Sequence, residues 1–228
     1  MPDGSEAQAF SINDCALIAL ATGQSAQNLK ELRDNLINIH AGSIYFHFWG
    51  GLLQPRFEER EYNNDFAAWA RHGLHDTTLA ERLAVVDPTG FEDVEALRQE
   101  LIDILEERLD ESEFLIWARA DEQFEFIRSQ IVVFNTHKRL ERAEQLASAV
   151  PQMSTSSIFY HFIDARRRCK DRMDDFRAWL SGFGTKYEDL SHTLAEIDPY
   201  FMPLTQIRDQ LVKIFQTYFG VQANEHTS

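Results

Sequence analysis

The sequence predicts an all-α protein: a tandem duplication of a roughly 100-residue helical unit, five or six helices per unit, with the two units packed on each other. Three observations predict it. Ser43-Ile44-Tyr45-Phe46-His47-Phe48 returns as Ser157-Ile158-Phe159-Tyr160-His161-Phe162, at an offset of 114 residues. Asp65-Phe66-Ala67-Ala68-Trp69 returns as Asp175-Phe176-Arg177-Ala178-Trp179, and Asp87-Pro88 as Asp198-Pro199, in the same order. Around these motifs apolar residues step by three or four, as in Leu29, Leu32, Leu36, Ile39 and again in Val94, Leu97, Leu101, Ile104, Leu105, which is one face of an amphipathic helix.

The boundaries that follow are residues 11–112 for the first unit, 113–122 for a connecting segment and 123–220 for the second unit. That connection carries Phe114, Leu115, Ile116 and Trp117 in place of Gly, Ser and Pro, so it is not a flexible linker. The short apolar runs Leu17–Leu20 and Ile131–Phe134 have no decisive period, and their helical surroundings assign them to helix. Ser43 and Ser157 are read as N-caps of the aromatic helices, Asn63-Asn64 and Asp171–Asp175 as caps of the next ones. Phe66 and Trp69, like Phe176 and Trp179, have the spacing of a core-facing stripe. Pro88 and Pro199 punctuate the entry into the last helix of each unit.

A chain of 228 residues with 44% hydrophobic and 12% aromatic side chains can bury a substantial core. No apolar run approaches the roughly 20 residues of a membrane-spanning helix, and the first residues lack the pattern of a secretory signal, so the expectation is a cytoplasmic protein without membrane contact. The net charge of −15 repels a phosphate backbone, which argues against nucleic acid. The charge is uneven: residues 1–118 hold 8 basic and 22 acidic side chains, residues 119–228 hold 14 and 15. Cys15 and Cys169 stand alone, outside any Cys-x-x-Cys pair.

The paired motifs Ser-Ile-x-x-His-Phe, Asp-Phe-x-x-Trp and Asp-Pro, each present twice, resemble a bacterial and archaeal family known only as a domain of unknown function, over all but the extreme termini. The resemblance implies an accessory role beside enzymes of carbohydrate metabolism. It carries no catalytic residues onto this chain.

Candidate sites therefore rest on residue chemistry. His47 and His161 recur on an aromatic helix, and imidazole both ligates metals and titrates near neutral pH. The alternative is a buried histidine bonded to a carboxylate or carbonyl among aromatic rings. Asp65 and Asp175 are the natural carboxylate partners, able to orient an imidazole or to favour a helix N-terminus. His72 and His75 form a weaker metal-ligand candidate in the first unit alone. Arg166, Arg167, Arg168 and Lys170 form a dense basic stretch suited to an anion, to which Lys138, Arg139 and Arg142 add; the alternative is a solvated helix face. No phosphate loop, dinucleotide fingerprint or zinc-hydrolase motif occurs, and no cofactor is expected. The expected function is a noncatalytic module that binds a protein partner or a small anionic ligand; a metal-assisted enzyme using the His/Asp pairs is the alternative.

Overall fold

Two strands of 17 residues, where the sequence predicts helix, organise the molecule: β1 (Phe10–Ala26) and β2 (Phe124–Leu140), hydrogen-bonded to each other as a two-stranded sheet. The computed structural model describes residues 8–53, 61–111, 113–169 and 171–225. Thr22 Oγ1 donates to Phe126 O at 2.6 Å and Thr136 Oγ1 to Ile12 O at 2.5 Å, tying each strand's end to the other's beginning, so the pair is antiparallel. The all-α expectation is thus wrong, and so is the tandem pair of helical units. The fold is mixed α and β. The Ala-rich run from Ala16 to Ala21 has helix propensity, and Ile131–Phe134 lacks alternation; cross-strand hydrogen bonding overrides both. Alternation is legible only where each strand begins, at Phe10 and Ile12 and at Phe124 and Phe126, all four buried.

The compact units are also not sequential blocks. One, unit 1, comprises Met1–Ala16 with Val132–Ser228; the other, unit 2, is Leu17–Ile131. Each strand is therefore shared, its halves belonging to different units.

In unit 2 the later part of β1 leads into α1 (Leu29–Asn38) and α2 (Ala41–Trp49), then α3 (Asp65–His72), α4 (Thr77–Ala84) and α5 (Val94–Asp110), before the beginning of β2 closes the unit. Helix starts follow short polar side chains that accept the free N–H groups of the first turn: Asn28, Asn64, Asp76 and Asp93. Leu32, Leu36, Phe48, Phe66, Leu79 and Leu101 form its core with no exposed surface. Ser43 is not a cap, because α2 already starts at Ala41 with the His40 ring accepting from Gly42 N–H at 2.9 Å.

Unit 1 contains the beginning of β1, the later part of β2, and a helical set: α6 (Leu146–Ala149), α7 (Thr155–Ile158), a π-helical turn (Phe159–Asp164), α8 (Ala165–Arg168), α9 (Asp175–Ser181), α10 (Glu188–Ala195) and α11 (Leu204–Glu225). Here Ser154, not Ser157, is the cap, accepting from Ser157 N–H at 3.0 Å. Phe159, Phe162, Phe176, Leu211 and Phe215 are fully buried. Each strand holds one residue in the left-handed region, Gly23 (φ 74°) in β1 and His137 (φ 61°) in β2. Glycine adopts that conformation without a Cβ penalty, whereas histidine is strained there by about 1 kcal/mol. Among the described residues no helix is long and apolar enough to cross a membrane.

Candidate functional site

The histidines are the centres of two matching constructions. Ser43 and His47 are four residues apart, so they share one face of α2, and that face meets the edge of β2. Ser43 Oγ donates to Ile127 O at 2.8 Å, and Ile127 N–H donates to His47 Nε2 at 3.2 Å. On its other side the ring meets Asp65, with Nδ1 and Oδ2 3.0 Å apart. Since Nε2 must accept, the proton sits on Nδ1 and is donated to Asp65: the imidazole is neutral and in one tautomer.

In unit 1, Ser157 Oγ donates to Asn13 O at 2.6 Å, Asn13 N–H donates to His161 Nε2 at 2.9 Å, and His161 Nδ1 lies 2.7 Å from Asp175 Oδ2. In each unit a serine and a histidine thus hold both backbone groups of one strand residue, as a neighbouring strand would.

Aromatic rings enclose each clasp. Phe124 stacks on Phe66 at 5.1 Å and tilts against His47 at 4.6 Å; Phe10 stacks on Phe176 at 5.5 Å and tilts against His161 at 4.9 Å. Trp69 Nε1 donates to Glu122 O and Trp179 Nε1 to Gln8 O, both at 2.7 Å, pinning the chain just before each strand. His47 and His161 are 3% and 2% exposed. With both ring nitrogens engaged, neither histidine has a lone pair left for a metal or a substrate proton, although His161 and Asp175 line an open groove with Tyr160 and Arg168. Asp65 and Asp175 orient these rings at the start of α3 and α9.

The basic run is occupied as well. Asp164, 1% exposed, accepts from Arg167 at 2.9 Å and from Arg168 at 2.9 Å; Arg168 also reaches Asp175 at 3.1 Å and stacks over the Tyr160 ring at 4.1 Å. Arg166 Nη2 lies 3.8 Å from Asp174 Oδ2, beyond hydrogen-bond reach. Both atoms are buried without a hydrogen bond, and burial pushes the Asp174 carboxyl up to about 6. Lys170 lies outside the described residues. The guanidinium groups expected to take an anion are thus directed at the carboxylates of Asp164, Asp174 and Asp175, which sequence reasoning did not connect with them.

His72 and His75 do not converge either. His72 Nε2 pairs with Glu61 at 3.0 Å, while His75 Nε2 pairs with Asp121 at 2.7 Å, all exposed. Among the described residues no three His, Cys, Asp or Glu side chains stand together as a metal site. Cys15 is buried with its thiol on Ser156 O at 3.3 Å, and burial, with Asp14 nearby, pushes it up to about 12, far from the thiolate needed for reactivity.

Two further features lie on the surface. Phe114 and Trp117 are 86% and 81% exposed in unit 2. They share one 3-10 turn, where Trp117 N–H donates to Phe114 O at 3.1 Å, and the chain beyond it is fixed by Ala120 N–H to Gln27 O at 2.7 Å and Asp121 N–H to Gly73 O at 2.9 Å. In unit 1 a groove of about 500 Å³ is lined by Lys138 and Arg139.

The chain is similar to a solved structure, OrfY from Thermoproteus tenax, with 26% identity and a TM-score of 0.80 over 93% of this chain and 96% of that one. No curated protein matches it. A family model described as a family of unknown function, DUF5752, matches residues 7–216. With nearly the whole length matched, this chain belongs to the DUF5752 family.

Proposed function

We propose that the protein is a noncatalytic interaction module that docks a protein partner through the Phe114–Trp117 turn. The observation that carries this is the display of two large aromatic side chains on a turn anchored by backbone hydrogen bonds. Tryptophan is enriched among the residues that dominate binding energies, and burying each ring supplies roughly 1.5–3 kcal/mol. Unit 2 holds 10 basic and 22 acidic side chains, net −12, and exposed Asp110, Glu111, Asp121 and Glu122 flank the turn in sequence. The matching partner surface is an apolar pocket with a basic rim. The family resemblance implies that such a partner belongs to carbohydrate metabolism. The inward commitment of the histidines, aspartates and arginines to the fold supports the same reading.

The test is the double variant Phe114→Ala/Trp117→Ala, used as bait in the source cells beside the parent chain, with cross-linking to locate the contact. The expected result is a stoichiometric partner whose cross-links fall on residues 110–122 and whose capture is lost by the variant, while thermal stability stays within about 0.5 kcal/mol of the parent, as for a surface change. Recovery of the same partner by the variant, or of the parent chain alone, overturns the proposal. Binding should also weaken with salt, because its charged rim is screened.

A further inference from the structure

Two of the cations that the sequence adds to the arginine run have a different setting. Lys138 and Arg139 stand at the end of β2, directly after His137, whose left-handed φ of 61° breaks the regular path of the strand. Both side chains are exposed, and neither makes an ion pair among the described residues, in contrast to Arg166, Arg167 and Arg168. They line the unit 1 groove, whose volume of about 500 Å³ falls within the usual small-molecule range of roughly 300–1,000 Å³.

The remaining walls define the ligand further. Buried Ile12, Leu140 and Met153 line the groove with apolar surface. The carboxylate in it, Asp14, is held by Ser154 Oγ at 2.8 Å, Ser156 Oγ at 2.6 Å and Cys15 N–H at 2.8 Å, and among the described residues it makes no ion pair with either cation. The exposed lining hydroxyls of Ser148 and Ser154 already donate to Gln145 O and Asp14, and Ser154 accepts from Ser157 N–H, which leaves each oxygen a lone pair. Exposed Gln152 adds an amide. Two cations on one groove suit a dianionic group, and acceptor oxygens suit a body bearing hydroxyls.

We infer that this groove binds a small phosphate monoester with hydroxyl groups, its phosphate on Lys138 and Arg139 and its hydroxyls on the serine and Gln152 side. A nucleic-acid backbone would offer the same phosphate but is repelled by the net charge of −15. The site lies in unit 1 and stands independently of the partner surface at Phe114 and Trp117.

Calorimetric titration of the full chain tests it, with glycerol 3-phosphate, inorganic phosphate and glycerol as probes. Glycerol 3-phosphate should bind saturably and more tightly than inorganic phosphate, with no heat from glycerol. Lys138→Gln/Arg139→Gln should weaken it at least about tenfold, whereas Arg119→Gln/Arg128→Gln, an equal charge loss in unit 2, should leave it within about twofold. Gln152→Leu should weaken the ester and leave inorganic phosphate unchanged. No saturation below about 10 mM, or parental affinity in the Lys138/Arg139 variant with its circular dichroism intact, overturns the site. Equal affinity for ester and inorganic phosphate overturns the monoester assignment.

Discussion

The two clasps hold their strands with the same three side chains, yet the helices that supply their aspartates begin differently. At the start of α3, Asn64 accepts from Ala67 N–H at 2.8 Å and donates its amide to Leu83 O at 2.9 Å, so a buried polar group is satisfied on both sides. At the start of α9, Asp174 accepts from Arg177 N–H at 2.9 Å but has no proton to donate, and its second oxygen faces Arg166 at 3.8 Å. The aromatic helix of unit 1 also carries a π-turn, with Asp164 holding two arginines; that of unit 2 is regular. An amide completes such a cap with neutral chemistry. A carboxylate in the same place keeps the cap bond but requires a buried charge to be compensated, and a 3.8 Å separation compensates it poorly.

Predictions follow from that contrast, from the largest effect to the smallest. Removing either imidazole should be most damaging: His47→Ala and His161→Ala each leave a strand N–H and a carboxylate without their partner and open a cavity, at a cost of about 3–4 kcal/mol in urea unfolding. Losses differing by more than about 1 kcal/mol would show that the two clasps are not energetically alike.

Asp174→Asn should stabilise the protein at pH 8 by up to about 3 kcal/mol, or roughly 5–10 °C in Tm. The sign follows from linkage: the folded-state carboxyl is raised from 3.8 to about 6, so between those values the native state binds more protons than the unfolded one. The contribution of Asp174 to stability therefore rises as pH falls from 6 toward 4. Melting curves across that window should show the gap between parent and variant closing at low pH. A variant that melts at the parental temperature at pH 8 would mean that Arg166 already neutralises Asp174. The smallest effects should come from Ser43→Ala and Ser157→Ala, which remove one hydrogen bond to a strand carbonyl and cost about 1–2 kcal/mol each.

The pairing of each repeated histidine with its repeated aspartate was legible in the sequence, because a titratable ring between phenylalanines requires a buried polar partner. So were caps within Asn63-Asn64 and Asp171–Asp175, which fall on Asn64 and Asp174, and the buried faces at Phe66 and Phe176. The role of the pair was not legible. It depends on Asn13 and Ile127, which take part through backbone atoms alone and leave no side-chain signature. The strands were hidden for a related reason: their stability comes from pairing across more than a hundred residues, while Ala16–Ala21 taken locally reads as helix. The arginine run misled because nothing in the sequence shows Asp164 and Asp174 to be buried against it.

The division of each strand between two units governs how the molecule can be made. The beginning of β1 leaves the ribosome well before its partner, because the histidine that grips Asn13 is 148 positions further along. At about 5–20 residues per second, that segment waits roughly 7–30 s for its partner. During this interval its phenylalanine and isoleucine are uncovered, so cellular yield should depend on chaperone capacity and translation speed more than on the equilibrium stability of the finished fold.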